Sequence, residues 1–201
     1  MNKKQEQRRA SIQRLLDSAL HLFVSKGYRS TNLEQIAGDA KLSKGAVYFY
    51  FGSKQAVLLE LLKRVRAIAV DEALETAKKA GPKASDQIVA FLHHQAKLGV
   101  THRDEVLLLI LMSLEFGARD GAVSGIIRRI YQRLYAFVEK LIRAGRASGE
   151  LRTDLSPREL ASVIMANHDG TFLEWYRRPG SLKGTALVRA LREVVLSGVK
   201  K

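Results

Sequence analysis

The chain has 201 residues, 46% of them hydrophobic, which is enough for a real core in one domain or in a small domain plus a medium one. Its net charge of +14 points to an anionic partner, nucleic acid above all. Cysteine is absent, which excludes disulfides and thiolate metal sites and fits a cytosolic (cytoplasmic) protein; no apolar run approaches the ~20 residues that cross a bilayer, and Met1–Ala10 is too polar for a signal peptide.

Charge alone does not locate the partner, because residues 1–54 carry a net +6 and the remainder +8. Residues 2–9 form a polar, basic arm that is either a frayed terminus or a contact to phosphate or minor groove. The first helix is predicted from Arg9 to Lys26, with Ile12, Leu15, Leu16, Ala19, Leu22 and Phe23 at helical spacing and Gly27 at its end. Thr31 with Glu34 fits a capping box opening a second helix through Ala40, whose apolar face is Leu33, Ile36, Ala37 and Ala40. Ser43 is placed to cap a third helix, Lys44 to Tyr50; Gly52 ends it and Ser53 caps the next. Two short helices joined by a few residues make a helix-turn-helix, whose second helix can enter a DNA major groove. That helix is unlike a core element. Lys44, Gly45 and Ala46 are basic or small, and Tyr48, Phe49 and Tyr50 follow. Small residues permit close backbone approach; Lys44 and Tyr48 are expected to contact DNA, with Ala46 and Phe49 able to touch bases.

A long fourth helix runs to about Lys79 and stops at Gly81-Pro82. The fifth, Ser85 to about His102, carries Ile88, Phe91, Leu92, Gln95, Leu98 and Gly99. The sixth contains Val106 to Met112, apolar all round, and is expected to be buried. The seventh follows the weak stretch Gly117–Gly125 and runs to about Arg146, with Ile127, Ile130, Tyr131, Leu134, Phe137, Val138, Leu141 and Ile142 inward. Ser156 with Pro157 opens the eighth, which ends near Arg178. The ninth covers Leu182 to Val199. No segment has a strand period, so the fold class is all-α.

No catalytic motif stands out, and the chain is not read as an enzyme. His93 and His94 are adjacent and point about 100° apart on a helix, so they cannot simply share a metal; no metal site or cofactor is expected. On the eighth helix Leu160, Ile164, His168, Thr171 and Trp175 form one stripe, with Asn167 beside it. Buried polar groups there need partners, either within the core or on a ligand. Glu115 poses the same choice between a solvated helix end and a pocket. Gly170 in mid-helix costs about 1 kcal/mol against alanine, which a close helix–helix approach would offset. Leu187, Leu191, Val194 and Val195 make an apolar stripe on the last helix suited to a four-helix bundle.

Together, in order and spacing, Phe23, Gly27-Tyr28, Thr31, Ile36-Ala37, Ala40, Ser43-Lys44-Gly45, Tyr48, Tyr50-Phe51 and Ser53-Lys54 resemble the TetR family of bacterial transcriptional regulators. The resemblance runs from Leu15 to Leu62, with a further match at Gly149-Glu150-Leu151-Arg152-x-Asp154. It implies about nine helices: a three-helix DNA-binding domain at 1–54 and a helical effector-binding and dimerisation domain at 55–201. It implies a homodimeric, ligand-responsive repressor on a near-palindromic double-stranded DNA operator. Thr31, Tyr50 and Lys54 would anchor phosphates, with Ser43 and Gly45 part of the reading motif. The last two long helices would form the dimer interface, at Gly170, Leu187, Leu191 and Val194. A small-molecule effector of unknown identity would sit in a pocket among helices five to eight, lined by Phe91, His94, Met112, Tyr131, Met165, His168, Phe172 and Trp175. Such a lining suits a flat aromatic or long apolar ligand with one polar or acidic group. The alternative is a DNA-binding protein controlled by a protein partner or acting architecturally. At the turn, Lys41 stands where the family usually has glycine; a left-handed backbone there costs lysine on the order of 1 kcal/mol.

Overall fold

The computed structural model describes residues 3–117 and 119–200, and these form nine helices. They are α1 (Lys3–Lys26), α2 (Leu33–Asp39), α3 (Lys44–Phe51), α4, α5 (Ala84–Thr101), α6 (Arg103–Phe116), α7 (Ala122–Ala147), α8 (Pro157–Arg177) and α9 (Gly184–Val199). The helix α4 is continuous but changes pitch: Lys54–Arg66 is α-helical, Ala67–Glu72 is π-helical, and Ala73–Lys78 is α-helical again. Among the described residues the only β feature is one isolated bridge, Leu151 with Lys200. The fold is all-α, as the periodicity predicts. The chain forms two compact units, Met1–Val65 with Arg103–Arg128, and Arg66–His102 with Arg129–Lys201.

In the first unit, α1 begins six residues before the predicted start, so the basic arm is helical from Lys3. Its Lys, Gln, Glu and Arg residues are good helix formers, and no breaker precedes Arg9. Leu15, Ala19, Leu22 and Phe23 bury one face of α1, and Ile36, Ala37, Leu58, Leu61 and Leu62 are buried in the same unit. The cap of α2 corrects the sequence reading by one residue. Asn32 and Gln35 form the capping box, each side chain accepting from the other's backbone N–H at 2.9 Å. Thr31 is buried, and its hydroxyl donates to Gly27 O at 2.9 Å, so it cannot cap. At the turn Lys41 is left-handed, φ +54°. The strained turn is held by Leu42 N–H on Ala37 O at 2.9 Å and by the Arg14 guanidinium on the carbonyls of Ala40 and Lys41. Ser43 accepts from Ala46 N–H at 3.2 Å and Ser53 from Ala56 N–H at 3.1 Å, so both predicted caps are made.

The helix α6 is less enclosed than its composition suggests. Leu107, Leu108, Leu109, Ile110 and Met112 are buried, but Leu111 and Leu114 are exposed. Its buried Glu105 is neutralised by Arg64 at 2.7 Å, and Arg64 also holds Asp17 at 2.8 Å. Glu115 is neither simply solvated nor in a pocket; it pairs with Arg29 at 2.9 Å.

The core of the second unit brings together Ile88, Phe91 and Leu92 of α5, Ile130, Leu134 and Val138 of α7, Ile164 and Met165 of α8, and Val195 of α9. A local knot fixes its elements. No side chain within the first turn caps α5; Lys83 occupies that position without a side-chain bond. Glu150, 65 residues later, supplies the cap: its carboxylate accepts from Ala84 N–H (2.9 Å), Ser85 N–H (3.0 Å) and the Ser85 hydroxyl. Leu151 is fully buried beside Gly145, where an added Cβ would fall 2.6 Å from the Leu151 side chain and 2.8 Å from Ala84. Arg152 continues the knot, its N–H on Val199 O at 2.9 Å and its guanidinium forked onto Asp154, whose carboxyl that bond lowers to about 2.

Burial alone would raise the Glu150 carboxyl, but the three donors and nearby Lys83 outweigh it and hold it below its ordinary 4.5. A carboxyl lowered by folding adds stability that is fully present above 4.5 and is lost as pH falls through its native value. Thermal midpoints should therefore fall as pH is lowered below 4.5. Glu150→Gln should flatten that fall and lower the midpoint at neutral pH. Parallel melting curves for the two proteins across this range would remove Glu150 from the account.

Candidate nucleic-acid interface and the groove of the second unit

The helix α3 is anchored in the first unit by a single buried side chain, Val47. Lys44, Gly45, Tyr48 and Phe49 are exposed, and Ala46, Tyr50 and Phe51 are half-buried. Tyr48 is 45% exposed and Phe49 is 79% exposed, an unfavourable place for an apolar ring in a helix with no cover of its own. The Phe49 ring meets the Tyr50 ring edge-on, at 5.2 Å between centroids. Together with Lys4, Arg8 and Arg14 of α1, Phe49 and Tyr50 border an open basic groove. Lys44 is fully exposed and pairs with Glu34 of α2; that hydrogen bond and charge raise its pKa, and its ammonium stands 5.9 Å from the Tyr48 ring. Gly45 has open space around it, with only Ser43 Oγ at 3.9 Å from where a Cβ would sit. Ser43, Lys44, Gly45, Ala46, Tyr48, Phe49 and Tyr50 thus share one short outward segment.

Thr31 and Lys54 do not belong to it, and the expectation that they anchor phosphates is revised. Thr31 is 1% exposed and bonded inward. The Lys54 ammonium donates to Tyr28 O (2.7 Å), Thr31 O (2.6 Å) and Arg29 O (3.3 Å), and lies 4.4 Å over the Tyr28 ring. Its three donors are occupied by the loop that precedes α2. Burial lowers its pKa against the opposing pull of Glu115. The Tyr28 ring packs on Phe23 at 5.1 Å and Phe116 at 5.4 Å. The helix-start position of Lys54 in the sequence does not reveal that a carbonyl cluster faces it.

In the second unit α5, α8 and α9 enclose a mostly apolar groove of about 60 Å3. Of the eight residues expected to line an effector cavity, His168, Phe172 and Trp175 line this groove. The others do not converge on it. Phe91 is buried against the Phe137 ring at 5.8 Å, Met165 is buried in the core, and Tyr131 stacks on Tyr135 at 6.2 Å. Met112 is buried in the first unit. His94 is not a free polar handle: its Nε2 bonds Ile68 O at 3.1 Å and its Nδ1 lies 3.4 Å from the Thr76 hydroxyl. Periodicity reports which face points inward, not whether the space there is already filled. His168 bonds Asp169 at 2.9 Å. The groove also contains residues the sequence reading did not single out as ligand contacts, Gln95 and Gly99. Gln95 interrupts the apolar stripe of α5, which is the signal that marks it. At Gly99 an added Cβ would lie 3.0 Å from the Phe172 ring.

The residues expected at a dimer interface divide. Gly170 is exposed with nothing within 4 Å of a Cβ position, and Val194 is 62% exposed. Gly170 and the half-buried Leu187 border a shallow surface depression with Val163 and Thr171. Leu191 is buried within its own unit and lines the groove instead.

Residues 15–61 match the bacterial regulatory proteins of the tetR family, and residues 84–199 match the C-terminal part of the BetI-type transcriptional repressors. The chain belongs to the TetR family. It is a DNA-binding transcriptional regulator of the helix-turn-helix type, and the family consists of regulators, not enzymes. The crystal structure of the MbdR regulator from Azoarcus sp. CIB is similar over 94% of this chain and 98% of that one, with 45% identity and a TM-score of 0.86. The fatty acid metabolism regulator protein of Bacillus subtilis (strain 168) is 22% identical over 194 residues, 96% of this chain and 98% of its own. The structure of the Bacillus subtilis regulator FadR in complex with stearoyl-CoA shares the fold at a TM-score of 0.77, with 22% identity over 92% of this chain and 98% of that one. Among the described residues no helix is long and apolar enough to cross a membrane.

Within this TetR-family head, Lys54 is a clamp on the α1–α2 loop. Lys54→Met should lower unfolding free energy by about 1–3 kcal/mol, because three carbonyls lose a charged donor. Urea denaturation measures this. An unchanged midpoint would return Lys54 to the pool of available phosphate contacts.

Proposed function

We propose that the chain is a cytoplasmic repressor that binds a near-palindromic operator as a homodimer and is released by a small apolar or aromatic effector. In this reading residues 1–54 read DNA, and residues 55–201 dimerise and hold the effector. The observation that carries it is α3. A helix that exposes Lys44, Tyr48 and Phe49 around an unobstructed Gly45, with one buried anchor, is built to meet a partner. Lys44 would exchange its Glu34 pairing for phosphate, Tyr48 and Phe49 would reach base edges, and the half-buried Tyr50 would flank them. A two-fold dimer would present two such helices to successive major-groove faces.

The dimer reading is supported by the exposed face of α8 and α9, where Val163, Gly170 and Val194 lack cover within the chain. The effector reading is supported by the aromatic walls of the groove and by the similar Bacillus subtilis regulator FadR, whose structure is a complex with stearoyl-CoA, a ligand with a long apolar acyl chain. A volume of about 60 Å3 is well below the several hundred Å3 of ordinary ligand sites, so an effector must widen it. The same small volume favours a second reading, in which a protein partner controls the regulator.

Tyr48→Ala should weaken operator binding by about 1–3 kcal/mol with the fold intact, measured by gel-shift titration. Unchanged affinity would remove α3 as the reader. Gly170→Leu should raise the monomer fraction in sedimentation and abolish the operator complex. A fully dimeric variant would place the interface elsewhere.

A further inference from the structure

The helix α4 loses its regular pitch at Ala67–Glu72, and a π-helical turn inside an α-helix leaves backbone groups that the α ladder would have satisfied. Two carbonyls of this turn are taken by adjacent side chains of α5. His94 reaches Ile68 O at 3.1 Å, and the Gln95 carboxamide donates to Ala69 O at 2.7 Å. The carbonyl of Ile68 can only accept, so the His94 Nε2–H donates to it. Gln95 differs from His94 in one respect. It is 4% exposed and also forms part of the groove wall, with Phe172, Trp175, Thr171 and His168. One buried side chain therefore belongs both to the groove and to the irregular turn of α4.

The groove's chemistry restricts what can occupy it. Among the described residues no lysine or arginine lines it, and Asp169 holds His168 from the side. An ionised carboxylate there would lie without a cation, which is strongly disfavoured. An apolar body with an uncharged carbonyl head meets no such penalty and finds a donor in Gln95.

We infer that Gln95 reports groove occupancy to α4: a neutral, apolar ligand carrying a carbonyl engages the Gln95 carboxamide and turns it away from Ala69 O, and the π turn rearranges. This rests on the effector reading above and narrows it from a polar or acidic head to a neutral one. The turn begins at Ala67, directly after Val65 and Arg66, where the first compact unit gives way to the second along the same helix. A change of pitch there acts on the helix that carries Lys54 at its start.

The absence of native cysteine allows the groove to be filled without knowing the effector. Ala96→Cys, on the groove wall next to Gln95, can be alkylated with N-benzyl iodoacetamide, a neutral amide with an apolar ring, or with iodoacetate, a charged head. Hydrogen exchange of the full chain is then followed over residues 67–76, with operator affinity measured in parallel. The benzylamide adduct should accelerate exchange there at least tenfold, and the carboxymethyl adduct less than twofold. Adding Gln95→Met, or Gln95→Leu if the first does not fold, should itself accelerate exchange and abolish the further response to the label. Equal label responses with and without Gln95, or no response in either, would overturn the coupling. A response through Gln95 with operator affinity unchanged would uphold the coupling and sink effector-controlled release instead.

Discussion

The organisation of the second unit depends on one carboxylate. Glu150 closes the N-terminus of α5, which no nearby residue caps, and the residues that follow it tie α7 and α9 to the same point. Negative charge at a helix N-terminus is favourable because the first N–H groups have no partner within the helix. Here the consequence is positional. Fixing the first turn of α5 fixes the heights at which His94, Gln95 and Gly99 stand along it. Those three residues meet the π turn and the Phe172 ring, so a loop contact at one end of α5 sets the geometry of the groove at the other.

The first unit is organised by the complementary device, a cation on carbonyls. Lys54 gathers Tyr28, Arg29 and Thr31, and Tyr28 packs between Phe23 and Phe116. The end of α6 joins this cluster through Glu115 on Arg29. The α1–α2 loop is thereby over-determined, which permits the strained Lys41 and the sparsely anchored α3 to keep one geometry. An exposed helix with a single buried residue needs a rigid frame around it, and the frame consists of these inward bonds.

The helices, their order and most caps were legible in the sequence because they follow from local rules: apolar spacing, Ser43 and Ser53 before helix starts, and Gly27 and Gly52 after helix ends. What was hidden depends on distance in the chain. Asn32 rather than Thr31 caps α2 because Thr31 is drawn to the end of α1. Lys54 looks like a phosphate contact until the Tyr28 loop is folded onto it. The π turn has no proline or glycine to announce it; Ala67–Glu72 reads as ordinary helix, and only the donors on α5 distinguish it. The eight residues proposed for an effector cavity shared an inward direction, and direction does not determine whether a cavity remains.

The helical glycines separate internal from external demands. At Gly145 and Gly99 a Cβ would collide with Leu151 and Ala84 or press on the Phe172 ring, so packing inside the chain explains both. Gly38, Gly45 and Gly198 have open surroundings but lie one residue from a helix end, where glycine costs little. Gly170 is different. It stands in the interior of α8, costs about 1 kcal/mol against alanine, and has no neighbour that a methyl group would touch. Nothing among the described residues accounts for it. The exposed Val163, two helical turns away on the same face, and Val194 on α9 present apolar surface without cover. A missing side chain flanked by uncovered apolar ones is the pattern of a surface shaped for another helix, and it supports placing the second copy of the chain there.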